Sequence, residues 1–192
     1  MTVLTLQLPP NLQFTDEEFT QIVAVNKELR LELSAEGELI IMSPTGGETG
    51  NRNFDLLGQI WFWSNQNNLG KAFDSSTGFK LPNGATRSPD ASWIKIERWD
   101  ALTPEQKKKF LPLCPDFAVE LVSETDDVED TKAKMEEYLA NGLQLGWLIN
   151  PKDKQVIIYR HNQAPKVLQY PISLSGEDVL PGFVLNLEQI LA

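Results

Sequence analysis

Apolar residues in this chain recur every three or four positions in some stretches and alternate in others, and each change of period marks an element. Phe19, Ile22 and Val23 form an apolar face behind Thr15 and Glu18, whose spacing is that of a capping box. This predicts a helix from about Asp16 to Asn26. Leu29, Leu31 and Leu33 then alternate with charged residues, as in a half-buried strand. Ala35-Glu36-Gly37 turns the chain into Leu39-Ile40-Ile41-Met42, so the two strands make a hairpin. Past the loop Ser43-Pro44-Thr45-Gly46-Gly47, a longer helix is expected near Asn51 to Asn67. Its inward face is read as Phe54, Leu57, Ile60, Trp61 and Ser64, and Gly70 as its stop. Lys71-Ala72-Phe73 and Phe79-Lys80-Leu81 read as short strands, and the turn Pro82-Asn83-Gly84 leads to a strand holding Asp90.

The second half follows the same logic. Thr103 caps another helix with Pro104 in its first turn. Phe117-Ala118-Val119-Glu120-Leu121-Val122 reads as a strand buried on both faces. Asp126 to Asp130 suits a helix N-terminus, and that helix runs to Asn141 and stops at Gly142. Strands 145–149 and 155–159 follow, joined by the turn Pro151-Lys152-Asp153-Lys154, with a further strand near Val167 to Tyr170. Val184 to Leu191 is expected to end in a short helix. No repeat or linker interrupts the pattern. It predicts an α/β fold: one domain over 1–192, a mixed β-sheet flanked by helices, and an N-terminal helix with a β-hairpin. The strand–helix–strand order around Glu120 implies one parallel crossover.

Composition narrows the function. The chain has 192 residues and a formal net charge of −10, which argues against DNA binding by phosphate neutralisation alone. The charge is uneven, however. From Arg52 to Arg98 six positive residues face four negative ones, so that stretch is +2 and the rest −12. No apolar run approaches the ~20 residues of a membrane span. One cysteine, Cys114, and no basic leader make the cytoplasm the expected compartment.

The available chemistry is carboxylates plus lysine. A single His161 and a single Cys114 leave no zinc set, and no phosphate-binding glycine loop or nucleophile elbow is present. Asp90 and Glu120 each lie in an apolar stretch, where an unpaired carboxylate costs several kcal/mol. Asp116 faces the same way as Glu120, but at ~3.3 Å per residue it lies roughly 13 Å off, too far to share a metal. Asp90 is therefore the candidate partner, from an adjacent strand. Two such carboxylates suit a hard cation such as Mg²⁺. Lys134 falls on the inward side of the helix after Glu120, between Thr131 and Tyr138, whereas Lys132 is about 200° away and faces solvent. At this level two readings stand: a metal site, or a turn residue at Asp90 beside a structural Glu120–Lys134 ion pair.

These residues form a pattern. Ser88-Pro89-Asp90 followed by Glu120-Leu121-Val122 resembles the PD-(D/E)XK nuclease superfamily. More narrowly, the chain resembles the bacterial family of putative restriction endonucleases, a domain of largely unknown function. The marks are 37–45, 88–90 and 115–123, then Asp130, Lys134, Tyr138, Asn141-Gly142 and 146–151. The superfamily pattern would place lysine where Val122 stands; the resemblance implies that Lys134 replaces it. It further implies a restriction-endonuclease-like fold and Mg²⁺-dependent DNA hydrolysis, with Mn²⁺ able to substitute. Asp90, Glu120 and the Leu121 carbonyl would hold the metal, and Lys134 would position water or stabilise charge. Arg52 and Arg87 are the candidate phosphate contacts, and a homodimer without membrane attachment is expected. The alternative is a catalytically inactive nuclease fold serving as an interaction or dimerisation domain, which the net charge favours.

Overall fold

The computed structural model describes residues 3–6 and 14–192. Strand β1 (Val3–Leu6) precedes helix α1 (Asp16–Val25) and the hairpin strands β2 (Arg30–Leu33) and β3 (Leu39–Met42). The capping box forms: the Thr15 hydroxyl accepts from the Glu18 amide, and the Glu18 carboxylate accepts from the Thr15 amide at 2.8 Å. Helix α2 (Gly47–Asn67) leads to β4 (Gly70–Asp74), β5 (Phe79–Lys80), β6 (Thr86–Arg87) and β7 (Ala91–Lys95). Two short helices, α3 (Ile96–Asp100) and α4 (Pro104–Lys107), come before β8 (Phe117–Leu121), α5 (Val128–Ala140) and β9 (Leu145–Asn150). Then follow β10 (Gln155–Arg160), β11 (Lys166–Gln169), β12 (Ser173–Ser175) and β13 (Val184–Asn186).

The central sheet has the order β11-β10-β9-β8-β7-β4. β8 and β9 run parallel with α5 as their crossover, while β7 pairs antiparallel with β8. Every residue of β8 and β9 is buried, which is why their sequences are nearly unbroken apolar runs. One sheet face packs against Leu56, Ile60 and Trp63 of α2 and against the C-terminal segment around Leu187. The opposite face, with Ala118, Val122 and Leu148, packs against Met135 and Tyr138 of α5. A second, antiparallel sheet has the order β1-β3-β2-β6-β5, and its hairpin is covered by Phe19 of α1. Among the described residues no helix is long and apolar enough to cross a membrane.

Several expectations are corrected. α2 begins at Gly47, and its buried side is Thr49, Leu56, Ile60, Trp63 and Ser64; Phe54 and Trp61 face outward. The helix ends at Asn68, which adopts a left-handed conformation with φ 53°, and not at Gly70. Gly70 instead opens β4, where a Cβ would lie 2.2 Å from the Ile94 carbonyl oxygen and 2.3 Å from the Trp93 ring. Residues 187–192 form a turn and an irregular end, not a short helix, and α3 and β12 have no counterpart in the sequence reading. Gly70→Ala should therefore cost at least about 1–3 kcal/mol through overpacking. The measurement is a lowered urea midpoint at unchanged slope. An unchanged midpoint would mean that Trp93 and β7 yield freely.

Candidate functional site

β7 and β8 pair Ala91 with Val119. One step further along the same register sets Asp90, just before β7, opposite Glu120. Opposed antiparallel positions hold their Cβ atoms about 4.5–5.5 Å apart. The two carboxylates thus form the cross-strand pair that their sequence contexts suggest. The Leu121 amide donates to Asp90 Oδ2 at 2.8 Å. The Tyr138 hydroxyl donates to Glu120 Oε1 at 3.0 Å, and Lys134 Nζ lies 3.0 Å from the same oxygen. Asp90 is 8% and Glu120 7% exposed. Among the described residues, Asp90 Oδ1 and Glu120 Oε2 have no hydrogen-bond partner, and both residues line an open groove of about 1010 Å³ between the hairpin and α5.

A third carboxylate, missed in the sequence, completes the cluster. Glu32 on β2 is only 2% exposed. Its Oε1 lies 3.0 Å from Lys134 Nζ and accepts from the Ser88 amide at 2.7 Å; its Oε2 lies 3.3 Å from Arg87. β2 and β6 pair Leu33 with Thr86, which sets Glu32 opposite Arg87. Locally, Glu32 carries only the signal of a polar position between Leu31 and Leu33, which reads as solvent-facing. The non-local β2–β6 pairing turns that face inward.

The electrostatics divide the three acids. Burial pushes the Glu120 carboxyl up to about 8; Lys134 opposes this, and the Asp90 and Glu32 charges reinforce it. Asp90 is likewise raised, by burial first, with the Leu121 amide and Lys134 opposing. Burial also acts to raise Glu32, but Lys134, Arg87 and the Ser88 amide outweigh it and hold Glu32 below its ordinary value. Lys134 is raised because Glu120 and Glu32 overcome its own desolvation, so it remains an ammonium at neutral pH. Burial and the nearby Glu120 and Glu32 raise Tyr138, which stays a donor.

The remaining candidates lie in different settings. Val122 is buried beside Met135 and Tyr138, so the position where the superfamily pattern has lysine is core. Asp116 sits at the far end of β8, accepting from the Lys95 amide at 2.8 Å and pairing with Arg98 at 2.9 Å. Arg87 lines the groove, but its guanidinium is held by Glu32 and by Glu137. Arg52 is not among the groove residues; it donates to the Ala192 carbonyl at 3.0 Å. Lys132 pairs with Glu129 on the outer side of α5. Among the described residues, no three or more His, Cys, Asp or Glu side chains converge as a metal-ligand group. Mg²⁺ requires fewer, since it is commonly held by one or two carboxylates and keeps several waters. Asp90 and Glu120, each with a carboxylate oxygen lacking a protein partner, fit that requirement.

Residues 16–188 match the family described as Uma2, putative restriction endonuclease. Among solved structures, the fold is similar to that of a putative nuclease belonging to DUF820 from Anabaena variabilis. The TM-score is 0.76 over 91% of this chain and 96% of that one, at 19% identity. No curated protein matches the sequence. The likeness establishes the fold, a mixed α/β architecture with a multi-stranded sheet flanked by helices.

Proposed function

Because the chain belongs to the Uma2 family of putative restriction endonucleases, we propose that it is a Mg²⁺-dependent endodeoxyribonuclease centred on Asp90, Glu120 and Lys134. The observation that carries this reading is the opposed carboxylate pair, with one oxygen on each acid lacking a protein partner at an open groove. Asp90, Glu120 and the Leu121 carbonyl would hold the cation, and Mn²⁺ would be able to substitute. When bound, the ion would supply Lewis-acid chemistry, polarising a phosphodiester and lowering the pKa of a water. Lys134 stabilises charge on the phosphoryl oxygens as an ammonium; a group held protonated by two anions is a poor general base. Glu32 and Glu120 fix the position of that ammonium from two sides. Tyr138 orients Glu120 by donating to Oε1.

The raised Glu120 carboxyl gives a pH signature. Its folded value of about 8 lies above the ordinary carboxylate range, so between the two the folded chain holds the extra proton. Stability of the metal-free protein is then expected to fall as pH rises from about 5 to about 9. Cation binding must displace that proton, so Mg²⁺ affinity should rise by up to about tenfold per pH unit below pH 8. Calorimetric titration at pH 6, 7 and 8, with thermal melts with and without Mg²⁺, checks both. A pH-independent affinity would remove Glu120 from the ligand set.

The functional test is cleavage of supercoiled, linear and single-stranded DNA with Mg²⁺ or Mn²⁺. One observation favours a second reading. Ten carboxylates and three cationic side chains line the groove, a poor complement to a polyanion. On that reading the fold is retained as an interaction domain and the Glu32–Lys134–Glu120 cluster is a structural ion network. Folded protein that neither binds a divalent ion nor cuts any substrate would establish it over the nuclease.

A further inference from the structure

The outer face of α2 is unusual for a solvent-exposed helix. Phe54 is 80% exposed, and Trp61 and Phe62 are each 59% exposed. At 100° per residue, Asn51, Phe54, Gly58, Phe62 and Asn65 lie within about 40° of the line through Gly58. All five are exposed and none is charged. This neutral stripe stands on a chain whose net charge is −10.

The stripe is also symmetric. Phe54 and Phe62 flank Gly58 at four residues on either side, and Asn51 and Asn65 at seven. If two such helices cross antiparallel at Gly58, each Phe54 meets the Phe62 of the other copy, and each Asn51 meets an Asn65. A two-fold interface requires this self-complementarity of one patch. A Cβ at Gly58 would meet nothing within 4 Å, so the crossing point lies open. Without side chains there, two helices can approach to the short end of the usual 8–10 Å interaxial range.

We propose that this face of α2 is a dimer interface whose occupant is a second copy of the chain. The area supports that occupant. Aromatic side chains cover 150–250 Å² each, so the three rings offer about 300–400 Å² per copy. That is roughly half of the ~800 Å² per partner in a standard interface. The rest of a helix about 31 Å long supplies the remainder. The neutral stripe lets two strongly acidic chains meet without burying an unpaired charge. α2 and α5 cover opposite faces of the central sheet, so the dimer leaves both grooves open.

Sedimentation equilibrium of the full chain over a concentration series should give twice the 21.6 kDa protomer mass. Phe54→Asp and Phe62→Asp should each weaken self-association by at least about 30-fold, as loss of an interface hot spot does. Circular dichroism and cleavage per protomer should remain those of the wild type, and the melting temperature should lose only its dependence on protein concentration. Gly58→Cys should cross-link to itself on mild oxidation, since Cys114 is buried and does not compete. A wild type that is monomeric throughout would overturn the proposal, whether or not it sediments with lipid vesicles or another protein. So would a dimer that neither aspartate variant weakens, or a Gly58→Cys protein that stays un-cross-linked while dimeric.

Discussion

If the chain is the proposed nuclease, Glu120→Gln should slow divalent-dependent DNA cleavage by roughly a thousandfold or more without unfolding the protein. The side chains are nearly isosteric, and a Gln carbonyl still accepts from the Tyr138 hydroxyl, now 3.0 Å from Glu120 Oε1. The fold holds a charge at this position reluctantly, as the rise to about 8 shows, so removing it costs the metal-free protein little at neutral pH. On the proposed reading the ion would, by contrast, lose one of two anionic ligands. Metal stabilisation of transition-state charge amounts to several kcal/mol, and each 1.4 kcal/mol is about tenfold in rate. Single-turnover cleavage and melting temperature together make the measurement. A variant that cuts within about tenfold of wild type would remove Glu120 from the centre.

Lys134→Ala should fail differently, losing stability and rate together. Its ammonium lies 3.0 Å from both Glu32 and Glu120, and Glu32 is almost wholly buried. Removing the cation leaves Glu32 with Arg87 and the Ser88 amide, so the loss should stay at or below the about 3–5 kcal/mol of a broken buried ion pair. For a chain of this size that lowers the melting temperature by on the order of 10 °C. The Lys134 value is raised on folding, so its contribution is fully present below the ordinary lysine value and is lost only as pH climbs past it. The deficit should therefore be flat around neutrality and narrow in acid, where Glu32 takes up a proton. Cleavage should also fall about 10²–10³-fold, as when one donor to a developing oxyanion is removed. A variant melting with the wild type at pH 7 would show that Arg87 and the Ser88 amide alone suffice to hold Glu32.

The sequence revealed most where burial and spacing agree. Asp90, Glu120 and Lys134 stand out because each is charged at a position whose neighbours are core, and the β7–β8 register and the inward face of α5 place them together. The β8–α5–β9 crossover was legible for the same reason. The face of α2 was misread because the helix carries large apolar residues almost all round; hydrophobicity alone cannot choose between Phe54 with Trp61 and Leu56 with Trp63. Glu32 escaped notice because its environment is made by β6 and α5, more than fifty residues away in sequence. Alternation in β2 shows that Leu31 and Glu32 face opposite sides, but not that both sides are covered.

The ion pair between Glu32 and Lys134 joins positions 102 residues apart. A contact of that span closes a long loop, and its entropic cost is met only after the intervening strands have paired. The six-stranded sheet, with Trp63 and Trp93 packed against each other, can thus assemble while the hairpin is still undocked and Lys134 lacks its Glu32 partner. Such a species would carry native tryptophan packing and an unfinished groove. In refolding, the burial of the tryptophans should then precede the completion of the site, with docking of the hairpin setting the time of the second.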